Sequence, residues 1–362
     1  MRVALVYDYL NQYGGGERVL EVLMEIFPEA PIYALLYDSA RTCGKFEGRK
    51  IIASFLNFFP GAAKHHRWFF PLMPFAVEWW DFSDFDLVIS ISASFAKGVK
   101  TKPPTRHLCY LLTPTRFLWD ESEQRINEEL PVFLRPLARL AVGGLRKWDF
   151  AAAQRPDVLI PISRHIKKEA REKYRRQTEK VIYPPVCAEL RIKNYELGIT
   201  QPFYLIVSRL IPYKRIDIAI KACESIGRNL KIIGVGRDFA RLKKLAGKHT
   251  EFLGGLNDER RDFYLANAKA FLMPQVEDFG IAPVEAMARG TSVIAYAKGG
   301  ALETIKDGIS GIFFDQQTPE SLVATIQRFE KMRFDWQKIS QSVQKFSREN
   351  FKRQFLDAVK KF

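Results

Sequence analysis

Short runs of consecutive apolar residues alternate along this chain with longer runs in which apolar positions recur every three or four residues. Uninterrupted apolar runs of four to eight residues read as strands buried on both faces, and the longer amphipathic runs read as helices that cross over between them. In the first half the candidate strands are VALVYD (3–8), PIYALLYD (31–38), KIIAS (50–54), DLVISIS (86–92), HLCYLLT (107–113), DVLIPIS (157–163) and KVIYPP (180–185). In the second half they are FYLIVS (203–208), LKIIGVG (230–236), EFLG (251–254), KAFLMP (269–274), SVIAYA (292–297) and GIFFD (311–315). The alternation predicts parallel sheets flanked by helices, an α/β class.

The pattern restarts once. Tyr183-Pro184-Pro185 leads into the polar stretch KNYELGITQP, and a fresh β-α-β series opens at Phe203. We therefore expect an N-terminal domain over 1–186, a linker over 187–202 and a C-terminal domain over 203–344. A basic amphipathic helix is expected at about 345–362, with Phe346, Phe351, Phe355, Leu356 and Val359 on its apolar side. A length of 362 residues, long for one core, agrees with two domains. Two doubly wound sheets would present their carboxyl ends, the usual ligand edge, to a common cleft.

Composition alters this picture only through charge. Apolar (47%) and charged (27%) fractions are ordinary, but a net charge of +15 favours anionic partners. The basic residues accompany no nucleic-acid-binding motif, which argues against that class. The opening MRVALVYDY holds only a short apolar run, so no signal peptide is expected, and no stretch approaches the roughly 18–20 apolar residues of a membrane span. A cytoplasmic protein is the expectation. Cys43, Cys109, Cys187 and Cys223 are scattered without C-x-x-C spacing and read as buried free thiols, and the five histidines form no ligand pattern, so no metal is expected.

Four segments carry candidate chemistry. QVEDFGIAPVEAMARG (275–290) sets Glu277 and Glu285 eight residues apart around a glycine and a proline. Pro283 suits the start of a helix that would end at Gly290. The backbone N–H groups of Phe279, Gly280 and Ile281 would then face a ligand, and a helix N-terminus with a close-approach glycine suits an anion. Glu277 would lie on the loop and Glu285 in the first helical turn, both able to accept from sugar hydroxyls. Spacing alone fits equally a helix capped by Asp278 with two solvated glutamates. In the second segment, the strand from Phe203 ends at Ser208, and Arg209, Lys214 and Arg215 follow, cations suited to a diphosphate. Third, Gly234 and Gly236 in IIGVGRD would allow a close backbone approach to a ligand. Fourth, Gly14, Gly15 and Gly16 open a helix with apolar face Val19, Leu20, Leu23, Ile26 and Phe27. The spacing there is not G-x-G-x-x-G, which disfavours a nicotinamide enzyme.

SRLIPYKRIDIAI, GVGRD, FLGGLNDERRDFYLANAKAFLMP and EDFGIAPVEAMARGTSVIAYAKGGALETIKDGISGIFFD together resemble the donor domain of family-four retaining glycosyltransferases of the GT-B fold. YDYLNQYGGGERVLEVLMEIFPEAPIY and PTRFLWD resemble the bacterial branch that builds exopolysaccharides and O-antigens, so the resemblance covers nearly the whole chain. It implies two Rossmann-like domains facing across a cleft, with the last helix returning to the first domain. Arg209 and Lys214 match the pair that holds the donor diphosphate, Glu277 the glutamate that contacts the transferred sugar, and Glu285 the one that accepts from the ribose. Phe279, Gly280 and Ile281 match backbone donors to sugar and phosphate; Ser208, Gly234, Gly236 and Asp278 complete the expected donor site. Gly15 and Gly16 match a glycine loop that approaches the diphosphate from the other domain, and Asp8, Thr113 and Arg116 are expected on the acceptor side. Arg209, Lys214 and Glu277 are the expected catalytic set, acting without cofactor or metal. The implied donor is UDP-glucose, with GDP-mannose as the alternative, and the implied acceptor is a saccharide or lipid-linked saccharide. One position departs from the pattern: Leu112 stands before Thr113-Pro114-Thr115-Arg116, where the branch usually has histidine. That raises a third reading, a non-catalytic sugar-nucleotide-binding partner.

Two further segments, RWFFPLMPFAVEWWDF (67–82) and FLRPLARLAVGGLRKWDF (133–150), interleave aromatic or aliphatic residues with cations. They suit peripheral contact with an anionic membrane surface, or equally a packed core with a basic outer side. KKEAREKYRRQTEK (167–180) reads as a solvated helix.

Overall fold

A computed structural model of the chain describes residues 1–120, 122–129, 131–186 and 201–361. Of the expected linker, 187–200 lies outside the described residues, as does Cys187. The chain divides into two compact units, Met1–Tyr183 with Phe351–Phe362, and Pro184–Asn350.

The first unit holds six strands: β1 (Val3–Leu10), β2 (Ile32–Tyr37), β3 (Ile51–Ala53), β4 (Leu87–Ser92), β5 (Arg106–Leu111) and β6 (Val158–Pro161). They lie in the order β3-β2-β1-β4-β5-β6, every neighbouring pair parallel. All six residues of β4 are buried, as the absence of polar alternation requires for a strand covered on both faces. Burying each of Val88, Ile89 and Ile91 is worth about 1.5–3 kcal/mol. Phe351 and Phe355 of the last helix, Arg348–Val359, close over Tyr110 of β5 at 5.7 and 5.9 Å.

The second unit repeats this plan with β7 (Tyr204–Val207), β8 (Leu230–Ile233), β9 (Thr250–Gly254), β10 (Ala270–Met273), β11 (Val293–Tyr296) and β12 (Gly311–Phe314). The order is β9-β8-β7-β10-β11-β12, again parallel throughout. Counted within each unit, both sheets read 3-2-1-4-5-6, the doubly wound order. Strand order reverses between β1 and β4 and between β7 and β10, and ligands of such sheets bind outside the carboxyl ends at that point. Helix starts are set locally. Ser163, Asn257 and Thr318 each accept a backbone N–H from the first turn of their helices.

Two expectations are corrected here. KVIYPP (180–185) forms no strand. It runs beside β6 with two backbone bonds, Glu179 to Leu159 and Ile182 to Pro161, and the two prolines then have no N–H to continue a ladder. Cys43 is exposed rather than buried, in a left-handed turn at φ 55; Cys109 and Cys223 are buried free thiols.

Candidate active site

At the switch point of the second unit, β7 gives way to Ser208 and Arg209 and then to a single 3-10 turn, Pro212–Lys214. Pro212 opens the turn and Arg215 closes it in the left-handed region at φ 48, so the helix Ile216–Ser225 follows at once. Lys214 is buried, and its ammonium donates to Oε1 of Glu277 on the loop after β10. Gln275 Nε2 donates to the same oxygen at 2.7 Å. Burial is the largest single influence and pulls the Lys214 pKa down, but the charge and hydrogen bond of Glu277, together with Tyr213, outweigh it and hold the ammonium above its ordinary value, against a smaller opposing push from Arg209. Arg209 itself is exposed. The switch point thus carries one fixed, fully charged cation and an exposed guanidinium close enough to feel it.

Glycines from the next crossover fix the Glu277 loop. Gly300 N–H donates to the Glu277 carbonyl at 2.7 Å. A Cβ on Gly299 would sit 2.6 Å from that carbonyl oxygen, and one on Gly300 would sit 2.6 Å from Phe279 Cα. Neither glycine was singled out from the sequence, although a Gly-Gly pair directly after an apolar run signals a turn or close approach. Phe279 is buried against Phe346, ring centroids 5.1 Å apart. Asp278, beside it, is half-buried.

Helix Ile281–Ala288 begins two residues earlier than expected, behind Gly280 at φ 89. Pro283 therefore takes the third helical position, where its missing N–H still costs no intrahelical bond. Glu285 consequently lies in the second turn, not the first. It is 4% exposed, with Arg261 Nη2 3.8 Å from its carboxylate. Arg261 bonds Asp262 at 2.8 Å, and Arg289 Nη1 bonds the Glu285 carbonyl at 3.0 Å. Arg261, from helix Asp258–Asn267, is a further residue that sequence reading missed.

Gly234 and Gly236 allow a close approach within the chain itself. A Cβ at Gly234, whose φ is 142, would lie 1.9 Å from the Ser208 carbonyl oxygen, and one at Gly236 would lie 2.2 Å from that of Leu210. Their close approach is to the chain's own backbone: Ser208 N–H donates to Ile233 and Leu210 N–H to Val235. They hold the segment carrying Arg209 in place.

The remaining expected residues belong to the first unit. Gly15 and Gly16 lie in the first turn of helix Gly15–Ile26, with Gly14 as its N-cap. A Cβ on Gly16 would meet Tyr7 Oη at 2.3 Å and Leu112 Cδ1 at 3.1 Å, so Leu112 packs beside this turn. Asp8 does not present a carboxylate to an acceptor. It is buried, and its two oxygens accept from the N–H groups of Ala93, Ser94, Phe95 and Ala96 at 2.6–2.9 Å. Desolvation raises its pKa despite these donors. Thr113 and Arg116 are half-buried on the segment after β5. His107 cannot stand in for the missing imidazole. It is fully buried on β5, 2.8 Å from Ser90 Oγ, and burial lowers its pKa to about 3.

Beneath Thr113–Trp119 lies a buried ion pair that no spacing or motif in the chain signals. Lys97 Nζ and Asp149 Oδ1 are 2.6 Å apart, both side chains fully buried. Asp149 also accepts from Thr115 Oγ1 and Trp119 Nε1 at 2.7 Å and from Tyr174 Oη at 2.8 Å. Burial alone would lower the Lys97 pKa; the Asp149 carboxylate, chiefly, raises it instead.

Residues 190–350 match the family described as Glycosyl transferases group 1. An uncharacterized glycosyltransferase of Methanocaldococcus jannaschii is 29% identical over 176 residues, 47% of this chain and 49% of that protein. The GDP-mannose-dependent alpha-(1-6)-phosphatidylinositol monomannoside mannosyltransferase of Mycobacterium tuberculosis is 34% identical over 161 residues, 40% of this chain and 41% of its own. The chain thus spans less than half the length of the curated relatives it matches. The crystal structure of Anabaena HepE in complex with UDP and glucose aligns over 100% of both chains with TM-score 0.73 at 17% identity, a likeness of fold. The two doubly wound sheets thus have the GT-B fold of this solved neighbour, and residues 190–350 are similar to the group 1 glycosyltransferases.

Proposed function

We propose that this chain transfers a hexose from a nucleoside diphosphate sugar to a saccharide acceptor, free or lipid-carried, in bacterial polysaccharide synthesis. The observation that carries the reading is the charged Lys214, held against Glu277 at the switch point of the second sheet with Arg209 close by. In the proposed step the acceptor hydroxyl oxygen bonds to the anomeric carbon on the face that the diphosphate leaves. The carbon–oxygen bond to the diphosphate breaks, and a leaving phosphate oxygen takes the hydroxyl proton, so configuration is retained. Lys214, Arg209 and the N-terminus of helix Ile281–Ala288 stabilise the charge that develops on the diphosphate, the part a metal plays in other transferases. Glu277 accepts from the sugar and Glu285 from the ribose.

UDP-glucose is the first candidate donor, supported by a fold neighbour solved with UDP and glucose. GDP-mannose is the second, supported by 34% identity over 161 residues to a GDP-mannose-dependent enzyme. Slow hydrolysis of labelled donor in the absence of acceptor separates the two, and one of them should release free hexose well above the other. Binding of both nucleotides with no hydrolysis or transfer, across a panel of saccharide acceptors, would instead favour the non-catalytic partner.

A further inference from the structure

The first unit exposes far more large apolar surface in two places than a water-facing domain has reason to. Val132, Phe133, Leu137 and Leu140 are 71%, 79%, 66% and 75% exposed. They lie on a 3-10 turn, Val132–Leu134, that runs directly into helix Arg135–Ala152. Phe133, Leu137 and Leu140 are four and three residues apart, so they stand on one side of the helix. The opposite side is occupied. Arg139 bonds Glu123 at 3.1 Å and Arg146 bonds Ser122 Oγ at 2.6 Å, while Asp149 and Ala152 are buried. The stripe is therefore not an inward face turned the wrong way; the helix has its inner partners and presents a second apolar side to solvent.

A second segment adds to it. Phe58, Trp68, Phe75 and Trp79 are each at least 67% exposed. This segment is tied to the helix by Trp148, whose Nε1 donates to Glu78 at 2.7 Å. Met73, Ala76, Val77 and Phe82 are buried in the core and Phe69, Phe70 and Trp80 pack against it, which leaves Trp68, Leu72, Phe75 and Trp79 exposed.

Charge identifies the occupant. Residues 131–148 contain Arg135, Arg139, Arg146 and Lys147 and no acidic residue. Residues 55–79 carry Lys64 and Arg67, and the single acid, Glu78, is engaged by Arg155 and Lys100. Aliphatic and indole side chains beside the exposed Lys64, Arg67 and Lys147, on a chain of net charge +15, suit the interface of an anionic bilayer, where the rings enter the headgroup boundary and these cations meet lipid phosphates. We propose that the first unit docks on an anionic lipid surface through Val132–Leu140, with the Trp68–Trp79 segment beside it. This holds whatever sugar the second unit binds.

The test is sedimentation of the intact chain with vesicles of phosphatidylcholine alone and of phosphatidylcholine with phosphatidylglycerol. Wild type should bind the anionic vesicles, and less so as salt rises. F133S/L137S/L140S should lower the bound fraction about tenfold or more without shifting the melting temperature, because all three side chains are exposed. K147Q with R135Q should weaken binding to anionic vesicles only. Failure of wild type to bind, or binding that the triple substitution leaves unchanged, overturns the proposal. So does a solution dimer that the same triple substitution abolishes, since the stripe would then be an interface between copies. Nucleotide titration of the triple variant should match wild type, which keeps this result separate from the donor site.

Discussion

Lys214→Ala is expected to reduce donor turnover about 100-fold or more, the usual loss when a fixed donor to developing charge is removed. Two effects combine. The diphosphate loses its buried cation, and the Glu277 carboxylate loses the ammonium that helps orient it, while Gln275 stays at 2.7 Å. Glu277→Ala should produce a loss of similar size by a different route, since Lys214 would lose both its anchor and the charge that holds its pKa up. Circular dichroism should show both variants folded, because the pair sits at the sheet edge and not in the core. Wild-type-like turnover in both would remove the site assignment.

Asp149→Ala should be the most destabilising single change in the first unit. It leaves the Lys97 ammonium buried with only the Ser94 carbonyl and Thr115 Oγ1 to accept from it. It also strips the acceptor from Thr115, Trp119 and Tyr174. Breaking a buried pair from one side costs about 3–5 kcal/mol. For a unit of this size that corresponds to a fall in melting temperature of about 10 °C. K97M/D149L should recover part of the loss, because two uncharged, packed side chains replace a stranded charge; the recovery stays partial while the indole and phenol lack an acceptor. A shift under about 2 °C for Asp149→Ala would mean that the pair contributes little.

The strands were legible because a strand covered on both faces leaves an unbroken apolar run, as in DLVISIS, and needs no partner to be recognised. KVIYPP carried the same apolar signal, but a sheet ladder needs N–H donors, and its two prolines supply none. Glycines were legible as places of close approach without revealing what approaches. Gly234 and Gly236 meet the chain's own carbonyls, and Gly299 and Gly300 fix the Glu277 loop. Within the site, Lys214 and Glu277 stood out only through the resemblance, since their spacing alone fits a solvated basic loop and solvated glutamates. Lys97 and Asp149 did not, since each looks like an ordinary surface charge until the topology brings β4, the segment after β5 and helix Arg135–Ala152 together. Asp8 shows the converse: a carboxylate well placed for a ligand, yet saturated by four backbone donors that only the fold supplies.

The central claim is that the β7/β10 switch point binds a nucleoside diphosphate through Lys214. Calorimetric titration of the intact chain with UDP and with GDP, repeated on Lys214→Ala, tests it most directly. The account predicts one site per chain, a clear preference for one nucleotide, and a loss of affinity of about tenfold or more in the variant, the scale of a charge-assisted contact to phosphate. Absence of heat with either nucleotide, or equal affinity in wild type and variant, would contradict it.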